Sequence, residues 1–307
     1  AMVTSKMILA LLSVGISQHD EKSQRGGSFG HGKAGLLSAS ATRTVVAYSC
    51  FNDDEHLSGA TRRLYGMTYW KSHGIENQRF LGFGHFGDQR NKNENETFPF
   101  EDAEADRVAQ ELGLGIRNPD DPDGIGTTFL LIEPVVEPED LKVAVERNWW
   151  PALVQYEDLV IDIVDQAGTD HSPAPKANQD LRPYIRAFEI ARQAENATLK
   201  DDCEKFSRPR DVELIRYGKR PTAIGRLGLV ADPDGWSFPA EDGTDHRSLV
   251  ALIRGPRMVT EYFNAANGSV RQVRGVFIAD DLVDSLLKST EPHQHDRWSE
   301  EKGMGGV

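Results

Sequence analysis

The stretch GGSFGHGKAG, Gly26 to Gly35, decides how the chain is read. Half of it is glycine, it carries Lys33, and it runs directly into LLSASATRTVVAYS. Clustered glycines let backbone N–H groups turn toward one point, and a helix that follows them presents further unpaired donors at its positive end. An anion is the natural occupant of such a loop, and Lys33 adds a charge-assisted contact of about 1.5–3 kcal/mol when well placed. The plainer alternative is a flexible turn with a solvated lysine.

Two familiar phosphate loops fail on chemistry. From Gly27 to Lys33 the spacing is G-x-x-x-x-G-K, but Ala34 stands where a P-loop needs a serine or threonine for magnesium. A P-loop also needs a buried strand just ahead of it, and residues 18–25, QHDEKSQR, are too polar for a parallel-sheet core. A dinucleotide fingerprint fails for want of the same strand.

Outward from the loop, Lys33 to Ala41 is small and apolar enough for a helix. Thr44 to Phe51, TVVAYSCF, has the β-branched and aromatic content of a strand. Strands are expected at Arg62–Ser72 and Arg79–Gly87, then an exposed polar loop at Asp88–Glu96. A helix is expected at Phe100–Leu114, with acidic residues in its first turn and Gly113 near its end. After the loop RNPDDPDGIG, Thr127–Val136 is a strongly apolar strand.

Pro138 sits at the first turn of a further helix, where proline is tolerated, with Glu137, Glu139 and Asp140 favourable to the dipole. Beyond it the pattern predicts a strand at Asp158–Val164, a long surface loop at Asp165–Asp180 and a helix near Arg182–Ala194. Strands at Ala223–Ala231, Ser248–Gly255 and Arg274–Asp280 precede a last helix in DDLVDSLLKST. The expected organisation is two α+β domains, residues 1–136 and 137–307, since one core rarely organises 307 residues.

Bulk composition narrows the function classes. With 38% hydrophobic and 27% charged residues the chain has a globular composition. A formal charge of −13 without a basic cluster argues against direct nucleic-acid binding. Cys50 and Cys203 lack the spacing of a disulfide framework or zinc site and read as cytosolic thiols. The apolar run after Lys6 is short and lacks a cleavage site. Met7, Leu11, Leu12 and Val14 instead fit one face of an amphipathic helix, so neither a secretory leader nor a membrane segment is expected, and a cytoplasmic location is the expectation.

The segment LALLSVGISQHDEKSQRGGSFGHGKAGLLSASATRTVVAYS resembles the middle of the ATP-binding domain of the GHKL superfamily, named for gyrase, the heat-shock chaperone, histidine kinases and MutL. There a helix and a lid lead into a G-x-F-G-x-G box, then a helix and a strand. Gly27, Phe29, Gly30 and Gly32 stand in those slots, and the polar stretch Gln18–Arg25 takes the place of the lid. The superfamily closes its nucleotide domain with a strand opening G-T, and GIGTTFLLIEP supplies Gly126, Thr127 and Thr128.

The resemblance covers roughly residues 5–136. It implies a sandwich with a mixed or antiparallel sheet and helices on one face. It also implies ATP with Mg²⁺, phosphate contacts from Gly27, Ser28, Phe29, Gly30, His31, Gly32 and Lys33, and Thr127 toward the adenine. A homodimer or another protein is the implied macromolecular partner. The superfamily's glutamate base, magnesium-binding asparagine and Asp-x-Gly box would all stand before residue 5. Met7 and its helix match the portion just after that box, which predicts a fragment continued upstream rather than a relative without catalysis. No catalytic residue is assigned within these 307 positions.

In the superfamily the following domain sends a basic residue to the γ-phosphate, for which Lys219, Arg254, Arg257, Arg271 and Arg274 are the candidates. His293, His295 and Asp296 read as a solvated tail in preference to a metal trio. Asp232–Asp245 lacks the closing glutamate of a calcium loop. Trp149 and Trp150 are expected to be buried at a domain junction. The functional expectation is an ATP-dependent conformational switch, with a non-enzymatic interaction module as the rival.

Overall fold

A computed structural model describes residues 32–52, 59–89, 97–192, 210–214, 222–231, 248–265, 273–290 and 298. They form two compact units that part between Val136 and Glu137. The protein is α+β in both.

The first unit contains helix α1 (Gly32–Ser38), strands β1 (Thr44–Cys50), β2 (Arg62–Tyr69), β3 (His73–Ile75), β4 (Gln78–Phe80), β5 (Phe83–Phe86) and β6 (Phe100–Glu101), helix α2 (Asp102–Glu111) and strand β7 (Gly126–Leu131). Its sheet runs β5-β2-β1-β7, with β6 also on β2, and every pairing is antiparallel. Strand β1 is apolar on both sides, so it needs cover on both. Val45 and Ala47 pack with Tyr65, Met67 and Leu37 of α1, whereas Val46 and Tyr48 pack with Leu64 and with Ala105, Val108 and Ala109 of α2. The expectation of helices on one face is therefore corrected: the two described helices cover opposite faces, because alternate side chains of a strand point oppositely.

The second unit contains helices α3 (Pro138–Gln155) and α4 (Arg182–Arg192), strands β8 (Arg210–Leu214), β9 (Thr222–Ala231), β10 (Leu249–Ile253), β11 (Val259–Asn264) and β12 (Val273–Ala279), and helix α5 (Asp281–Thr290). The sheet order is β11-β10-β12-β9-β8, with β10 and β12 parallel and the other pairs antiparallel. Leu249, Ala251, Ile253 and Val276 face α3 and α4, while Val250, Phe277 and Ala279 face α5. Gly228 of β9 is required by close approach, since a Cβ there would collide with the Ala187 carbonyl of α4.

Proline inside α3 has a local remedy. Pro151 has no N–H to offer the carbonyl of Arg147 four residues back, and the Tyr262 hydroxyl of β11 donates to that carbonyl at 2.6 Å. Trp150 Nε1 in turn donates to the Tyr262 oxygen at 3.1 Å. Trp150 is fully buried, edge-on to Phe188, inside the core of the second unit. The expected junction role is corrected accordingly, and Trp149 is 38% exposed.

Residues 158–164 form no strand. Only Val164 makes a bridge, to Asp170. The Ile163 amide is taken by Ser172 Oγ and its carbonyl by the His171 amide, so the segment is tied down by its own loop rather than by a ladder. Of its apolar side chains Ile163 is buried, but Val160 is 69% exposed. Among the described residues no helix is long and apolar enough to cross a membrane.

Candidate functional site

At the Cys50 end of β1, three adjacent strands line up polar side chains. Ser49 is opposite Arg63 on β2 and opposite Thr127 on β7. By strand alternation all three point to the face that α1 covers, continuing the row begun by Val45 and Ala47. Ser49 is buried, Thr127 is exposed, and their hydroxyls are 2.8 Å apart. Arg63 is buried, with Nε donating to Glu101 Oε1 at 3.1 Å and its guanidinium 5.3 Å from the Phe51 ring centre. This corner of the sheet pairs a fixed cation with hydroxyls able to donate or accept.

The turn into β7 is built by Arg117. Its Nη1 donates to the Gly124 carbonyl at 3.1 Å and its Nε to Thr128 Oγ1 at 3.1 Å. The guanidinium lies where a Cβ at Gly126 would sit only 3.2 Å from Nη1, and Gly126 has a positive φ of 147°, so glycine fits the turn on both counts. These contacts set where Thr127 emerges from the loop.

On the opposite face a charged cluster joins β1, β2 and α2. The Tyr48 hydroxyl donates to Asp106 Oδ1 at 2.6 Å, Arg62 Nε donates to both Asp106 oxygens at 2.9 Å, and the Arg117 amide donates to the Tyr48 oxygen at 3.3 Å. Burial, reinforced by the bond to Asp106, pushes the Tyr48 phenol up to about 12. Asp102 opens α2 with φ 45°, and its carboxylate accepts from the amides of Thr61 and Arg62 at 3.0 and 3.1 Å. All of these groups are used to join strand to helix.

In the second unit a loop is fastened to α3 at two points. Glu146 is buried and accepts from the Ala174 amide at 2.8 Å and from Asn178 Nδ2 at 2.6 Å. His171 stands between Glu139 Oε2, 3.2 Å from Nδ1, and Asp165 Oδ2, 3.3 Å from Nε2. Hydrogen bonding to Glu139 first, then Asp165, raises the imidazole pKa. The Glu139 carboxyl is lowered chiefly by His171, and that of Asp165 first by the Thr169 amide.

Of the expected nucleotide ligands, Gly27, Ser28, Phe29, Gly30 and His31 lie outside the described residues, and Gly32 and Lys33 are the first two residues of α1. Thr127 stands at the start of β7, on the face that α1 covers. Among the described residues no group of three or more His, Cys, Asp or Glu side chains is placed to hold a metal ion. The His293, His295 and Asp296 trio, the segment Asp232–Asp245, Lys219, Arg271 and Cys203 lie outside the described residues.

Two of the basic candidates are interior. Arg254 is buried, with Nη1 3.6 Å from Asp284 Oδ1, and Arg274 is buried on β12, so neither guanidinium faces a ligand in solvent. Arg257 remains partly exposed, in the turn after β10, with φ 60°. Sequence reasoning missed Arg117, Tyr48 with Asp106, and His171 with its two carboxylates. For Arg117 a signal existed: it opens a run rich in Asp, Pro and Gly that must be pinned by something before β7 can begin.

The chain matches no protein-family model and no curated protein.

Proposed function

We propose that the first unit is the latter part of a GHKL-type ATP-binding domain, and that the chain is a nucleotide-driven conformational switch acting in the cytoplasm. The observation that carries this reading is Thr127. The G-T pair opens a strand beside β1, and the threonine hydroxyl meets Ser49 on the sheet face that α1 covers. Gly32 and Lys33 open that same helix. The backbone amides of Gly27–Gly32 and the ammonium of Lys33 hold phosphate charge, and Thr127 with Ser49 offers hydroxyls on the adenine side.

Among the described residues no group of three or more His, Cys, Asp or Glu side chains is placed to hold a metal ion. Coordination of the ion is therefore assigned to none of them. When bound with ATP, magnesium would neutralise phosphate charge, and the second unit would couple the bound state to a homodimer or to another protein. The rival reading, an interaction module without chemistry, draws its support from aromatic side chains exposed between Tyr69 and Phe86.

Calorimetry of the intact chain with a non-hydrolysable ATP analogue and magnesium tests the proposal. Micromolar binding that weakens about tenfold in Lys33→Ala supports it, the loss of one well-placed charge-assisted contact. Absence of binding, or binding indifferent to Lys33→Ala, overturns it.

A further inference from the structure

The segment from Tyr69 to Phe86 displays its aromatics to solvent. Trp70 is 49% and Phe83 51% exposed, and Tyr69, Phe80 and Phe86 are exposed as well. Single exposed apolar residues need no explanation, but a contiguous run marks a surface that meets something else.

The display is rigidly built. Tyr69 and Phe83 are opposite each other on β2 and β5, and the Phe83 and His85 rings are 6.1 Å apart on that same face. On the β3–β4 hairpin, His73 is opposite Phe80 with the rings 5.6 Å apart and only 21° from parallel. The Trp70 amide donates to the Gly82 carbonyl, and Gly82, at φ +86°, has no room for a Cβ against the Trp70 and Lys71 carbonyls. The strands thus fix where the rings point before any partner arrives.

Charge gives the partner's sign. Arg43, whose guanidinium lies 5.1 Å from the centre of the Trp70 ring, Lys71 and Arg79 are exposed, and among the described residues none of the three has a carboxylate partner. Between Tyr69 and Phe86 the sole acidic residue is Glu76. Arg62 and Arg63, nearby on β2, are by contrast held by Asp106 and Glu101.

We infer that this segment binds single-stranded nucleic acid by stacking unpaired bases on its exposed rings, Tyr69, Trp70, Phe80 and Phe83, with Arg43, Lys71 and Arg79 toward the backbone. Flat rings on a β-surface with interleaved cations are how single strands are held without sequence preference. The overall charge of −13 opposes the long phosphate contact that a duplex requires. Stacking does not depend on it, since each base carries its own π face. The inference goes beyond the ATP reading and does not depend on it.

Fluorescence anisotropy with labelled oligodeoxythymidylate and oligouridylate, without nucleotide or magnesium, tests it on the intact chain. Binding of either strand, poorer binding of a duplex, and a loss of about tenfold or more in Trp70→Ala/Phe83→Ala are expected. Trp70→Phe retains a stacking face and restores most of the affinity when paired with wild-type Phe83, which separates a lost platform from a lost fold. Lys71→Gln/Arg79→Gln reduces the salt dependence by about 1.4 units of slope. No binding of either strand overturns the inference and leaves the surface to a protein partner. Equal binding by the wild type and the double alanine variant overturns it as well.

Discussion

The hydroxyl of Tyr48 donates to Asp106 Oδ1 at 2.6 Å, which joins the middle of β1 to α2 through a side-chain contact spanning 58 positions. Tyr48 is fully buried and Asp106 also holds Arg62, so the three groups stand or fall together. Tyr48→Phe removes the bond to Asp106 and the acceptor of the Arg117 amide but leaves Asp106 with Arg62, at a cost of about 1–2 kcal/mol. Asp106→Ala leaves a buried hydroxyl and a guanidinium without their acceptor and costs about 2–3 kcal/mol. Urea unfolding of the two variants should rank them in that order.

The same contact has an alkaline signature. Tyr48 is raised from 10.0 to about 12, so its neutral form is favoured by folding. The stabilisation is fully present below pH 10 and is lost as pH rises toward 12. Thermal melts across that range should show a decline that is smaller in Tyr48→Phe.

What was legible in the sequence follows from where each residue has its partners. TVVAYSC announces β1 because both faces of that strand are buried, and Pro138 with the acids around it announces α3. RDVEL and VTEYFN were not read as strands because Asp211, Glu213 and Glu261 interrupt their apolar residues; among the described residues β8 and β11 are the two edges of their sheet. DLVIDIV misled for the opposite reason: its apolar content suits a strand, but among the described residues no neighbouring strand completes its ladder. The Arg63–Ser49–Thr127 row was hidden because its members come together only through strand register. Thr127 alone was recoverable, from the glycine before it.

Tyr262 serves two partners, the Arg147 carbonyl freed by Pro151 and the indole N–H of the fully buried Trp150. Tyr262→Phe keeps the ring and its edge-on contact with Tyr184 but leaves an acceptor and a donor unsatisfied. The expected cost is about 2–4 kcal/mol. Pro151→Ala in the same background supplies the missing helical N–H and recovers part of it, so chemical denaturation of the pair tests the assignment through non-additivity.

The loop at residues 157–178 should loosen at both ends of the pH scale. His171 is raised, so its contribution is complete below the ordinary imidazole range and is lost as pH climbs through the higher folded value. Glu139 and Asp165 are lowered, so theirs is present above the ordinary carboxylate range and is lost on acidification. Exchange of the His171 amide, bonded to the Ile163 carbonyl at 2.7 Å, should be slowest between those limits once corrected for intrinsic rates. His171→Gln should remove the alkaline limb and leave the Glu146 fastening to Ala174 intact.

Thr127 separates a ligand role from a structural one. It is exposed, on an edge strand, and its hydroxyl contacts Ser49 alone among the described residues. Thr127→Val preserves the branched shape and the strand propensity, so unfolding should shift by less than about 1 kcal/mol. If the hydroxyl serves the adenine side of a nucleotide, the same substitution weakens binding of the ATP analogue by about tenfold while Thr127→Ser retains it. Thr128→Val is the control: its hydroxyl accepts from Arg117 Nε on the opposite face, so it should perturb the turn and leave the nucleotide affinity nearly unchanged. An analogue affinity indifferent to Thr127→Val would remove the adenine role while leaving the phosphate role of the glycine loop to be judged by Lys33→Ala.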